Sequence, residues 1–132
     1  MAVSHDVYPD TTGDYDTLQD WEDAQDGTAL DQKTARCDDS GDLGSLNMTG
    51  WTNTPDASNQ VFIVNDTAGD LHSLTQASGS TSARIMSEIA GRNVILQEPY
   101  TTIDGIYFDN TGFTADNHQV ELRDDDIVIK NC

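Results

Sequence analysis

The sequence predicts an all-β chain whose short strands wind into a parallel solenoid behind one amphipathic helix. Three observations carry that expectation. After Gly27 the chain breaks into short apolar runs of four to seven residues, most of them separated by polar turns such as "DDSGD", "NDTAGD" and "RDDD". The one convincing helical pattern, "DYDTLQDWEDAQDG", lies near the start. Apolar pairs then return at a spacing in the low twenties: Ile103 and Ile127 are 24 residues apart, with strand, turn, strand and turn between them. Two or three short strands per circuit is the layout of a coil whose turns stack on one another.

The totals agree with many short strands. The chain has 132 residues and 36% hydrophobic content, enough for one domain with a modest core. Acids outnumber bases 24 to 6, giving a net charge of -18, and 20 of the acids are Asp. The short Asp carboxylate bonds nearby backbone N–H groups, so Asp suits turns and helix caps. The same charge repels phosphates and argues against a nucleic-acid partner. It also keeps a protein soluble and suits a salty medium, where repulsion is screened within about 8 Å. The two cysteines, Cys37 and Cys132, are too few for a disulfide scaffold and have no zinc spacing; they read as free thiols or as one bridge. "MAVSHDVYPD" has neither the basic region nor the apolar run of a signal peptide. No stretch approaches the roughly 20 apolar residues of a membrane span.

Taken in order, residues 1–13 read as an extended polar arm and residues 14–132 as a single domain. A helix is expected at about residues 15–26, with Tyr15, Leu18, Trp21 and Ala24 as its narrow apolar stripe. Asp14 or Asp16 is the expected N-cap, and Gly27 the stop. The strand candidates are "KTARC", "LGSLNM", "QVFIV", "ARIMSEI", "NVILQ", "TIDGIYF", "QVELR" and "DIVIK". Residues 50–59 and 75–83 read as longer loops. A sandwich would join such strands by Asn-Gly or Asp-Gly hairpins. Here Asp26-Gly27 ends the helix, and Asp104-Gly105 falls inside an apolar run. Gly105 therefore marks a bend within a coil, with Ile103, Ile106 and Phe108 turned toward the inner stack.

Two segments are similar to right-handed parallel β-helix proteins, the superfamily of pectate-lyase-like enzymes, phage tailspikes and head fibres, and bacterial surface repeats. "GDYDTLQDWEDAQ" resembles the helix that caps their first coil, and "TTIDGIYFDNTG" and "DDIVIKNC" resemble their rungs. The resemblance covers residues 14–26 and 92–132 and implies a short right-handed parallel β-helix with an N-terminal capping helix. It implies no single role, because the fold hosts many.

For chemistry, "RDDD" at Arg123 to Asp126 is the one place where a base meets three acids. The resemblance to calcium-dependent lyases makes it a candidate site; the plainer reading is a solvated turn. The glycine and closing glutamate of an EF-hand loop are missing from residues 14–26, which leaves only isolated calcium in Asp-rich turns. With 24 acids, any chosen glycosidase pair is uninformative. His5, His72 and His118 have no metal or nucleophile spacing. Asn47 and Asn65 begin glycosylation sequons. Trp21 is expected to seal the first coil, and Trp51 to pack or to stack on a sugar or partner.

No catalytic, cofactor-binding or metal-ligating residues are assigned. The expectation is a non-enzymatic structural protein at a virion surface: a phage capsid- or tail-attached decoration, fibre or spike. Its expected partners are capsid or tail proteins, further copies of itself (a trimer would cover apolar ends) and host-surface glycans, without a membrane. The absent signal, the polar arm and the strand-like end at "DDIVIKNC" motivate that expectation. The alternatives are an extracellular polysaccharide lyase or hydrolase, of which this is the N-terminal part, and a microbial surface adhesin or filament subunit.

Overall fold

Alternation in the strand at Lys33–Cys37 sets the pattern for the fold: Lys33, Ala35 and Cys37 are buried, while Thr34 and Arg36 face outward. Period-two side chains on an extended backbone give each rung one inner and one outer face. A computed structural model describes residues 1–38, 40–66, 84–86, 94–109 and 120–132. The elements are β1 (Val3–Val7), α1 (Leu18–Gln25), β2 (Lys33–Cys37), β3 (Leu46–Met48), β4 (Val61–Asn65), β5 (Arg84–Met86), β6 (Val94–Leu96), β7 (Thr101–Asp104), β8 (Tyr107–Asp109), β9 (Val120–Leu122) and β10 (Ile127–Lys130).

Every ladder between these strands is parallel. One sheet runs β1-β2-β4-β7-β10, a second β3-β6-β9, and a third pairs β5 with β8. The result is a β-solenoid of about 3 turns with a single short helix among the described residues. The register places Val3, Lys33, Val61, Thr101 and Ile127 in one column, and His5, Ala35, Ile63, Ile103 and Ile129 in the next inward one. Between the sheets lies one apolar cluster that includes Val7, Leu18, Trp21, Ile63, Leu96, Ile103 and Ile106. Each such fully buried side chain contributes about 1.5–3 kcal/mol from desolvation.

Each of the eight strand-like runs contains a strand, and "TIDGIYF" contains two. Gly105, at φ 77°, makes the bend between β7 and β8, a backbone region open to glycine at little cost. Ile103 and Ile106 are fully buried, and Phe108 packs against the cluster half-buried. Residues 50–59 lie outside the strands and hold one isolated bridge, Asp56 to Asn59. The loop expected at residues 75–83 lies outside the described residues, as do His72 and His118.

Three expectations are corrected. Residues 1–13 are not simply an extended arm: β1 joins the main sheet, pairing with β2 from Val3↔Lys33 to Val7↔Cys37. Its alternate residues Val3, His5 and Val7 turn inward, and a ladder of backbone bonds outweighs the polar look of the segment. The repeat is also longer than 24 residues. Ile103 pairs with Ile129, not Ile127, so that step takes 26 residues (103 to 129). The earlier steps take 30 (3 to 33), 28 (33 to 61) and 40 (61 to 101). The first of them carries α1 where the later ones carry β3, β6 and β9.

The helix cap is the third correction. Thr17, not Asp14 or Asp16, is the N-cap: its Oγ1 accepts from the Asp20 backbone N–H at 3.1 Å, and its hydroxyl donates to Asp20 Oδ2 at 2.8 Å. A threonine hydroxyl in extended backbone reaches the third helical N–H as well as a carboxylate does. Thr17→Ala should cost about 1 kcal/mol, read from a urea melt; Asp16→Ala should cost less. The helix buries Leu18, Trp21, Glu22 and Gln25, a spacing of three and four. That stripe leaves Ala24 exposed and brings a glutamate inside.

The outer face carries charge in alternation. The column Asp6, Arg36, Val64, Asp104, Lys130 contains two ion pairs, Arg36 with Asp6 and Lys130 with Asp104 at 3.2 Å. Half-exposed pairs of this kind each contribute at most about 1 kcal/mol. Among the described residues, no helix is long and apolar enough to cross a membrane.

Candidate functional site

The candidate site is a groove at one corner of the second sheet. Ladder bonds continue past its strands, with Gln97 N–H on the Met48 carbonyl at 2.9 Å and Arg123 N–H on the Leu96 carbonyl at 2.8 Å. Three successive turns therefore leave the sheet one above another. Gly50 and Trp51, then Gln97 and Glu98, then Arg123 and Asp124 line a cavity of about 490 Å³.

Trp51 is its floor. Gly50, at φ 76°, turns the chain so that the indole enters the core, where 5% of the residue stays exposed. The ring lies 6.5 Å from that of Trp21, tilted by 56°. Two buried glutamates hold it. Trp51 N–H donates to Glu98 Oε1 at 2.9 Å, and its indole Nε1–H donates to Glu22 Oε1 at 2.6 Å. Gln19 Nε2–H donates to Glu22 Oε2 at 2.8 Å, while Gln19 Oε1 accepts from the Asn47 N–H on the free edge of β3. The helix thus closes that edge, which bare backbone would otherwise leave open to pairing.

Burial is the main cause that pushes the Glu22 carboxyl up to about 7; the indole N–H opposes it, and Asp23 and Asp26 add to it. The unfolded carboxyl titrates near 4.5. Between those values the folded chain holds the extra proton, so this group makes stability fall as pH rises from about 4.5 to about 7, with no further change above. Glu22→Gln keeps an oxygen for the indole and removes the charge. It should flatten the Glu22 part of the pH profile, as urea melts of both chains across pH would show, at the cost of the Gln19 Nε2–H bond that an amide NH2 cannot accept.

The charged turn is wired locally. Arg123 Nε pairs with Glu121 Oε1 at 2.9 Å, and Asp124 Oδ1 accepts the Asp126 N–H at 3.1 Å. Asp125 and Asp126 sit instead in a neighbouring hollow of about 250 Å³ with Tyr100 and Val128. Of the "RDDD" residues, then, Arg123 and Asp124 line the groove with Trp51, and Asp125 and Asp126 do not. Among the described residues no group of three or more His, Cys, Asp or Glu is arranged to hold a metal ion. Asn47 is exposed on β3, and Asn65 ends β4. Cys37 and Cys132 are free thiols, and burial raises the Cys37 thiol far above its ordinary value.

Sequence reasoning missed Glu22 and Glu98. A signal for Glu22 was present, because it is the i+4 partner of Leu18 on the stripe that Trp21 defines. Glu98 carried none, since its partner Trp51 lies 47 residues away. No family model, curated protein or solved structure matches this chain.

Proposed function

We propose that this chain is a non-enzymatic structural module of a virus particle: a spike, fibre or capsid decoration built on the plan of the right-handed parallel β-helix superfamily. One observation supports the structural role above the others. The charged groups that line the groove, and Glu22 behind its floor, serve the scaffold. Glu22 and Glu98 hold Trp51, Arg123 holds Glu121, and Asp124 closes its own turn. A general acid or base must instead reach a substrate proton. The stacked ladders give a stiff body suited to holding a surface at a fixed distance from its anchor. Virion proteins separated by mass and probed with an antibody to this chain test the reading. The chain should copurify with intact particles at fixed stoichiometry; finding it only as free monomer outside any assembly would sink the idea.

The groove supports a second reading, action on an acidic polysaccharide, because Arg123 and Asp124 lie beside Glu98. Incubation with acidic polysaccharides, with and without calcium, separates the two. Turnover that disappears in Arg123→Ala would favour the enzyme.

A further inference from the structure

A second cavity, of about 330 Å³, opens at the first-turn end of the solenoid, between β1, β2 and the C-terminal end of α1. Its chemistry centres on Lys33. This lysine occupies an inward position of β2 and is 4% exposed. A buried ammonium is costly unless charge or hydrogen bonds compensate it. Among the described residues Lys33 Nζ meets one acceptor, the Ala29 carbonyl at 2.6 Å, which takes one of its three N–H donors. Asp31 lines the same cavity; its Oδ1 is on the Met1 ammonium, and its charge acts on the lysine without a hydrogen bond to Nζ.

Two further polar side chains, His5 and Tyr15, line the cavity with the lysine. His5 Nδ1 is buried with no hydrogen-bond partner among the described residues, and the imidazole meets the Tyr15 ring edge-on at 5.4 Å. Among the described residues the Tyr15 hydroxyl accepts only a long bond from Gln25 Nε2, 3.5 Å, and donates none. The rest of the wall includes Val3, Ala24 and Ala29. The set is one cation, one carboxylate already held by the Met1 ammonium, polar side chains and small apolar ones, in a volume at the low end for a small-molecule pocket.

We propose that this cavity binds a small aliphatic monocarboxylate. Its carboxylate lies on Lys33 Nζ, with His5 in its Nδ1–H tautomer and Tyr15 as neutral donors, and its short chain lies against Val3, Ala24 and Ala29. The charge count selects a monoanion. One side-chain ammonium lines the cavity and offsets one negative charge, whereas the second charge of a phosphate dianion would find no further cation on that lining, on a chain of net charge -18. The site is distinct from the Trp51 groove and does not depend on the role proposed above.

Isothermal titration and thermal melting of the full chain with sodium butyrate test the proposal, with butyramide and inorganic phosphate at matched ionic strength. Butyrate should bind saturably and raise the melting temperature with concentration. Butyramide, which keeps the shape and loses the charge, should not, and neither should phosphate. Lys33→Met should weaken butyrate at least about tenfold, the scale of one charged hydrogen bond. His5→Leu, which leaves the lysine in place, should weaken it several-fold and serves if Lys33→Met does not fold. No saturable butyrate binding, equal binding of butyramide or phosphate, or butyrate binding unchanged in either variant would overturn the proposal.

Discussion

Trp51→Ala should destabilise the fold by about 3–5 kcal/mol, the largest single effect anticipated outside strand-breaking changes. Three losses combine. The indole is 5% exposed, so its removal leaves a large hole beside Trp21. Glu22, a residue 4% exposed, loses the 2.6 Å indole bond to its Oε1, and a buried acceptor left without its donor costs more than the bond itself contributed. The helix then loses an anchor on the turn that follows β3. Urea unfolding followed by circular dichroism reads the total. A cycle of Trp51→Phe and Glu22→Ala isolates the polar part: Phe keeps most of the packing, Ala removes the acceptor, and the pair should couple by about 1.5–3 kcal/mol. A loss under about 1 kcal/mol for Trp51→Ala would show that the indole is not a structural anchor and would reopen its role as a binding surface.

Ile63→Ala should cost about 2–5 kcal/mol. Ile63 is fully buried and stands between Ala35 on β2 and Ile103 on β7, in the middle strand of the main sheet. Neighbours above and below are fixed by ladder bonds, so the turn cannot collapse into the gap. Ile129→Ala makes the same chemical change in the same column but at β10, where the side chain is only half-buried. It should cost less than half as much. Equal costs at the two positions would mean that the column is not packed as a stack.

Local chemistry made much of this legible in advance. "KTARC" coincides with β2 because Ala35 and Cys37 alternate with Thr34 and Arg36 and polar Gln32 and Asp38 flank the run. "TIDGIYF" betrayed a corner because a glycine inside an apolar run has few other uses. Where the reading failed, the deciding partner was distant in sequence. The inward positions of β1 include His5, a polar residue that no alternation rule counts as core, so the strand was read as an arm. The 24-residue repeat pairs Ile127 with Ile103, whereas the first inward residue of β7 is the buried Thr101, a polar residue that hydropathy passes over; Ile127 pairs with it, and Ile103 pairs with Ile129. The candidate site was harder still. Trp51 stands among threonines, asparagine and glycine, the composition of a solvated loop. Its burial rests on carboxylates 29 and 47 residues away, a pairing that hydropathy does not encode.

The unequal length of the steps up the main sheet has a consequence for how such a chain can change. From β4 to β7 the path takes 40 residues, against 26 from β7 to β10, yet Val61, Thr101 and Ile127 still fall in one column. The ladder counts strands and is indifferent to the contour length between them. A doubling of loop length costs only about 0.6 kcal/mol in closure entropy, less than a single buried methyl group contributes. Insertions and deletions between rungs are therefore nearly neutral for the scaffold, while a one-residue slip within a rung would turn its core outward. Descendants of this chain can diversify by lengthening the spans between rungs, and a foreign peptide grafted there would ride on an unchanged spine.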